Sequence, residues 1–311
     1  MADVYVIILN YKNWQDTREC LESLSRLHHR RFKVIVVDNN SGNGSLEHLM
    51  EWADTQLPVP AAGAPRYQYF ASHQLPERLD SFDRLPSIVF MQNPENNGFA
   101  EGNNLALRLL LQENAYIWLL NPDMTTQENA LTALLQFAGN HSPKTITGTT
   151  IKNYLPPHEV LQYGAKINFN SATVDHVTDI AHIPKIDYVC GGSLFAHTRH
   201  FNDIGLLPTD YFLYWEETDW CYQARQKGYD ITVCTEAVCF DKISTSIGRG
   251  FLADYYYTRN GLIFLSKYKK QKLPLAFFFI FLRFMKRILS GQWAKAKGVY
   301  KGTITFLNKG N

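Results

Sequence analysis

The chain has 311 residues, 45% of them hydrophobic and 19% charged, with a formal net charge of +2. That length accommodates one large core, or a main domain with a smaller appendage, and that composition excludes a disordered chain. The near-neutral balance argues against a general affinity for nucleic acid. Five cysteines, without metal-type spacing, read as reduced thiols, so a cytoplasmic protein is expected. The start "MADVYVIILN" lacks a basic flank or cleavage site and reads as a strand. No apolar run approaches the ~20 residues of a membrane-spanning helix.

Strand and helix patterns alternate through the first half. "VYVIILN" (4–10), "FKVIVVDNN" (32–40), "SIVFMQN" (87–93) and "AYIWLLN" (115–121) are apolar, largely β-branched or aromatic runs. Between them, 15–29, 44–54 and 98–113 carry helical spacing. Runs without alternation, separated by helices, predict an α/β fold with a mostly parallel sheet covered on both faces. Residues 55–86, rich in Pro and scattered aromatics, break the alternation and read as an insertion. The second half is less regular, with strands expected near 159–169, 186–195 and 229–233 and a helix over 216–227.

Ligands of such sheets lie beyond the carboxyl ends of the strands. Here those ends are polar: Asn10-Tyr11, Asp38-Asn39-Asn40 and Asn121-Pro122-Asp123. Each is an ordinary turn sequence, but three on one edge predict a binding site. "NPENNGFAEGNNLAL" (93–107) joins the third strand to its helix, with glycines for close approach and asparagines that both donate and accept. It lacks the Gly-Lys-Ser/Thr ending of a P-loop, and it follows the third strand, unlike a dinucleotide fingerprint. "YFLYWEETDW" (211–220) sets Glu216, Glu217 and Asp219 among aromatics. Acids at a helix start are stabilised by the macrodipole, so acidity alone does not separate a functional cluster from a first turn.

In their order, "VIILNY", "VIVVDNNSGNGS", "NPENNGFAEGNN", "LLNPDM", "CGGSLFAHTRHFNDIGLLPTDYFLYWEETDWCYQARQKGY" and "YYYTRNGLIFLSKY" resemble glycosyltransferase family 2, above all its rhamnosyltransferase-like branch. The resemblance implies a GT-A type fold over 1–268, with a nucleotide-binding half (1–125), an acceptor-binding half (126–268) and a separate C-terminal segment (269–311). It implies that Asn10 and Asp38 hold nucleobase and ribose, and that Asn97, Gly98 and Asn103 belong to the loop over the nucleotide. Asn121-Pro122-Asp123 stands at the DXD position, with Asp123 as ligand of a divalent cation, Mg2+ or Mn2+. Asp241 stands where the family often has a His and is the second candidate ligand; its neighbour Lys242 is a candidate for phosphate. Glu217 falls on the catalytic base, usually Asp, of an inverting transfer. Glu216 is a candidate to orient an acceptor hydroxyl, and Trp215 to stack on a sugar. Gly191-Gly192 matches a small pair beside the sugars, with a tight turn as the plain alternative. Asp219 reads as a first-turn acid, and Cys190 and Cys221 as packed thiols.

The implied partners are a nucleotide-sugar donor, dTDP-L-rhamnose or a UDP-sugar, and a cell-surface glycan or lipid-linked glycan acceptor. A sugar nucleotidyltransferase would need a Gly-rich basic loop after the first strand, where "NYKNWQ" stands. A non-catalytic sugar-nucleotide-binding protein would be favoured by neutral residues at the metal and base positions. Finally, "LPLAFFFIFLRFMKRILSGQWAKAKGVYKG" (273–302) places an aromatic, apolar stretch before a basic one. It predicts a helix at the membrane surface, against the alternatives of a helix packed on the domain or a homodimer contact.

Overall fold

The computed structural model of the chain describes residues 2–58, 65–242 and 250–309. The first half alternates as expected, through β1 (Val4–Asn10), α1 (Trp14–Ser25), β2 (Phe32–Asp38), α2 (Ser45–Gln56), β3 (Tyr67–Phe70), β4 (Ile88–Gln92), α3 (Gly98–Leu110) and β5 (Tyr116–Leu120). Strands β3, β4, β2, β1 and β5 lie side by side in that order, all parallel. Successive side chains of a strand point to opposite faces, and β1 fills two cores in this way. Tyr5 and Ile7 pack with Ala106, Leu107 and Leu110 of α3, whereas Val4, Val6 and Ile8 pack with Leu21 and Leu24 of α1 and Leu46 and Leu49 of α2.

The stretch expected to be only an insertion does more. It supplies β3, the edge strand, and its Leu79, Phe82 and Leu85 are buried against the sheet. Residues 59–64 within it lie outside the described residues.

The second half adds β6 (Met124–Thr126), α4 (Ala130–Asn140), β7 (Thr145–Asn153), β8 (Val160–Gln162), β9 (Gly164–Asn168), β10 (Thr173–Val177), β11 (Ser193–His197), α5 (Thr198–Ile204), α6 (Glu216–Gln226) and β12 (Asp230–Asp241). The sheet continues from β5 through β11, β7 and β12 to β6, with β11 antiparallel to both neighbours. The strand expected at 186–195 begins only at Ser193; before it, Tyr188 makes a single bridge to Ala165. The strand expected at 229–233 runs on to Asp241 past an irregularity between Cys234 and Val238. That extension pairs Asp241 with Met124 of β6 and so brings Asp241 beside Asp123.

Three helices end the chain, α7 (Phe251–Tyr268), α8 (Leu273–Leu289) and α9 (Trp293–Lys309). They share a small core of Leu262, Leu265, Ala276, Ile280 and Val299. No helix among the described residues is long and apolar enough to cross a membrane.

Candidate active site

The parallel register sets the first wall. Asn10 pairs with Asp38 across β1 and β2, and the next amides close the row: Asn39 N donates to Asn10 O and Asn93 N to Asp38 O, each at 2.8 Å. Both side chains are buried and tied to each other, Asn10 Nδ2 donating to Asp38 Oδ1 at 2.6 Å. Ser41 N and Gln92 Nε2 hold the other Asp38 oxygen, both at 2.9 Å. Asn10 and Asp38 thus brace the strand ends from behind, and Tyr11 and Asn39 present themselves to the cleft beside them.

That cleft, of about 230 Å³, is lined by residues of both halves, among them Asn96, Gly98, Asn121, Asp123, Phe212, Tyr214 and Asp241. Gly98 adopts φ +91°, and Phe99 N donates to Phe212 O at 2.9 Å. Asn96 Oδ1 accepts from Asn39 Nδ2 at 2.8 Å and Gly98 N at 3.0 Å, which fixes the loop. Asn97 caps α3 from an exposed position outside the lining residues. Asn103 is buried in α3 and donates to Phe99 O at 2.9 Å. Its neighbour Asn104, which the sequence did not single out, clamps the halves by exchanging two bonds with the Leu207 backbone, at 2.8 and 3.1 Å.

Asp123 is nearly buried. Burial first, and then the Asp241 carboxylate, push its pKa up to about 6. Two carboxylates lining one cleft fit a hard divalent cation, whose remaining ligands can come from phosphate and water. Among the described residues there is no cluster of three or more candidate metal-binding side chains, so protein alone does not complete a cage. Lys242 does not face the cleft as a phosphate ligand. Its ammonium pairs with Asp16 at 2.5 Å and Glu19 at 2.6 Å on α1. The Ser-rich turn that follows lies outside the described residues.

The loop Cys190–Gly192 links this pair of acids to α6. Asn121 N donates to Gly192 O at 2.8 Å, and a Cβ on Gly192 would sit 2.9 Å from Asn121 Nδ2. A Cβ on Gly191 would lie 3.2 Å from Glu217 Cβ. The small pair therefore seats Asn121 and Glu217 against backbone. Burial pushes the Cys190 thiol up, and the Glu217, Asp241 and Asp123 carboxylates push it in the same direction. All five cysteines are free thiols, Cys221 among the buried ones.

Burial raises the proton affinity of Glu217, while backbone N–H groups of Gly191, Thr218 and Glu217 itself oppose the rise. Its Oε2 has no hydrogen-bond partner among the described residues, and neither does Oε2 of Glu216. Glu216, 3% exposed, is raised further, by burial and then by Glu217. Asp219 is different. It is fully buried and accepts from Tyr211, Gln223, Lys267 and Tyr268 at 2.5–2.8 Å. No acceptor capacity is left for chemistry, and its role is to tie α6 to α7.

Trp215 is a correction to the sequence reading. It is 2% exposed, donates from Nε1 to Tyr257 O at 3.2 Å and packs on Phe264, so it cannot stack on a sugar. The aromatic rings that line the cleft are Tyr11, Phe99, Phe212 and Tyr214. Tyr214 and Trp215 both have left-handed backbones, φ +64° and +80°, a conformation that costs free energy in bulky residues. Asn260 on α7 holds them there, its Nδ2 donating to Leu213 O at 2.7 Å and Tyr214 O at 3.1 Å. Its own Oδ1 accepts from Arg259 at 2.9 Å. "TRNG" in the quoted α7 motif was the available signal.

Residues 5–67 match the sequence model of glycosyl transferase family 2. Over 248 residues the chain is 23% identical to the low-salt glycan biosynthesis hexosyltransferase of Haloferax volcanii, covering 75% of this chain and 65% of that protein. The chain thus spans slightly less than two thirds of that relative's length. Among solved structures, the mannosyltransferase PcManGT of Pyrobaculum calidifontis, in complex with GDP-Man and Mn2+, superposes with a TM-score of 0.58 at 14% identity, over 99% of this chain and 89% of that one. GalNAc-T7 with UDP, GalNAc and Mn2+ gives 0.62 at 12% identity, over 94% of this chain and 58% of the other. At such identities the superpositions speak for the fold, which is GT-A.

Proposed function

We propose that this chain is a glycosyltransferase of family 2 and transfers a sugar from a nucleotide-sugar donor to a glycan hydroxyl with inversion at the anomeric carbon. The observation that carries this reading is that Asp123 and Asp241 line one cleft, while Glu217 packs on Gly191 and Asn121 on Gly192 of the adjoining Cys190–Gly192 loop. Glu217 takes the proton of the acceptor hydroxyl as that oxygen attacks the anomeric carbon. The bond to the nucleoside diphosphate breaks on the opposite face, and its electron pair leaves with the phosphate oxygen. Asp123 and Asp241 are the residues that would hold a divalent cation, Mg2+ or Mn2+, which stabilises the charge on the leaving diphosphate. The aromatic rings of the cleft exclude water, a competing acceptor.

The rhamnosyltransferase-like motif order favours dTDP-L-rhamnose as donor, with a UDP-sugar as the second candidate. The GDP-Man of PcManGT and the UDP of GalNAc-T7 support an activated-sugar donor in general. A lipid-linked or cell-surface glycan is the proposed acceptor, met from the inner face of a membrane through the C-terminal helices. Transfer assays with dTDP-L-rhamnose, UDP-sugars and GDP-mannose, each with Mn2+ and then with EDTA, test the reading. Absence of transfer and of donor hydrolysis with all of them would overturn it.

A further inference from the structure

The charge of the chain divides at Asp254. Residues 255–311 contain 12 Lys and Arg and no Asp or Glu. Since the whole chain has 31 basic and 29 acidic residues, residues 1–254 hold 19 basic and 29 acidic. A tail of +12 is thus joined to a body of −10.

The same tail exposes its apolar side chains. In α8, Ala276 and Ile280 turn inward, while Leu275, Phe278, Phe279 and Leu282, at helical spacing on one side, are exposed together with Phe281. Phe278 and Phe281 are 55% and 56% exposed. In α9, Gly298 and Gly302 press against α7: a Cβ on either would meet Phe251 O at 2.4 Å or Tyr255 O at 2.5 Å. The opposite side of α9 shows Trp293, Tyr300, Ile304 and Leu307. Not every cation points outward. Arg283 donates to Thr258 Oγ1 at 2.7 Å and Arg287 pairs with Asp254 at 3.3 Å, whereas Lys286 and Lys297 are exposed.

We propose that α8 and α9 together form a docking platform for an anionic bilayer. Both helices lie in the plane of the interface, the rings entering the acyl boundary and the lysines meeting lipid phosphates. Each helix has 17 residues, too short to span the hydrocarbon core. A two-fold dimer through this face would set an acid-free cationic surface against its own copy, which like-charge repulsion opposes. The sequence reading foresaw one helix over 273–302; the platform has two, and two of its arginines serve the fold. The proposal rests on the lipid-linked acceptor for its biological sense, and its test is separable from the transfer reaction.

The test is flotation of the full-length protein with phosphatidylcholine vesicles, with and without phosphatidylglycerol, at low and high salt. The wild type floats only with the anionic vesicles and less at high salt. Phe278→Ser/Phe281→Ser abolishes flotation, and Lys286→Glu/Lys297→Glu lowers the partition coefficient at least about 25-fold, near fivefold for each cation lost. Calorimetric binding of dTDP or UDP, measured on the same samples, stays unchanged and shows that the variants are folded. Wild type that stays at the bottom of the gradient, or a Phe variant that floats as well as wild type, overturns the platform. So does a wild-type dimer in sedimentation that the Phe variant makes monomeric, since the face would then serve a second copy. Flotation without any nucleotide binding would leave the platform standing and overturn the transferase reading instead.

Discussion

A Cβ on Gly98 would stand 2.1 Å from the carbonyl oxygen of Phe212. The loop before α3 and the loop before α6 therefore touch through a residue that has no side chain, and the contact is sealed by the Phe99 N to Phe212 O bond. Gly98→Ala is expected to part the two loops. The positive φ alone costs about 1–3 kcal/mol, and the clash adds to it. Gly42→Ala is the control, because Gly42 also has positive φ, +63°, but open space around it. Donor binding by calorimetry should weaken in the Gly98 variant and stay normal in the Gly42 variant.

Asn260 is bonded to the segment of left-handed residues, Tyr214 and Trp215, that leads into Glu216 and Glu217. Asn260→Ala removes the donors to Leu213 O and Tyr214 O and should lower stability by about 1–3 kcal/mol. If the loss ended there, kcat at a temperature where the variant is folded would be normal. The expected result is a fall in kcat with donor affinity retained, since the loop under α6 would relax.

Asp123→Asn replaces one of two facing carboxylates by an amide. Binding of dTDP or UDP should lose most of its Mn2+ dependence, measured by titration calorimetry with and without EDTA. Metal dependence as strong as in the wild type would remove Asp123 from the site.

Glu216 makes a prediction about pH. Its proton affinity is higher in the fold than in the unfolded chain, by burial and then by Glu217. The stabilisation this gives is full below the unfolded value and is lost as pH rises through the higher folded value. At neutral and alkaline pH the buried carboxylate is thus a burden, which Glu216→Gln removes. The variant should show a higher Tm than wild type at alkaline pH, and the gap should close as pH falls into the ordinary carboxylate range. A constant gap would mean that Glu216 does not change protonation on folding.

Much of the first half was legible because its strands announce themselves. Val, Ile and Leu runs with no alternation predict a doubly covered parallel sheet, and β1, β2, β4 and β5 are there. β7 was not legible: "TITGTTIKN" has four threonines in nine residues, and two of their buried hydroxyls find partners distant in sequence, Thr149 donating to Ser193 at 2.9 Å and Thr150 to Thr235 O at 3.1 Å. The edge strand β3 is four residues of "YQYF" inside a Pro-rich stretch, too short to show a period. At the cleft, residue types could be read, but their direction could not. Trp215 looked like a sugar platform and is core, because a left-handed backbone turns it inward. Asn260 and Asn104 act through backbone carbonyls far away in sequence, which leave no spacing to find.

The measurement that bears most directly on the central assignment is steady-state transfer by Glu217→Gln, alongside its donor affinity. The amide keeps nearly the same shape against Gly191 but cannot accept the acceptor's proton. Donor affinity should remain close to wild type while kcat falls by about 10²–10⁴-fold, the range expected for a positioned general base. In the wild type the acid limb of the pH–rate profile should lie above the ordinary carboxylate range, because burial raises Glu217, and the variant should lack that limb. A folded Glu217→Gln protein with near-normal kcat and an unchanged acid limb would contradict the account.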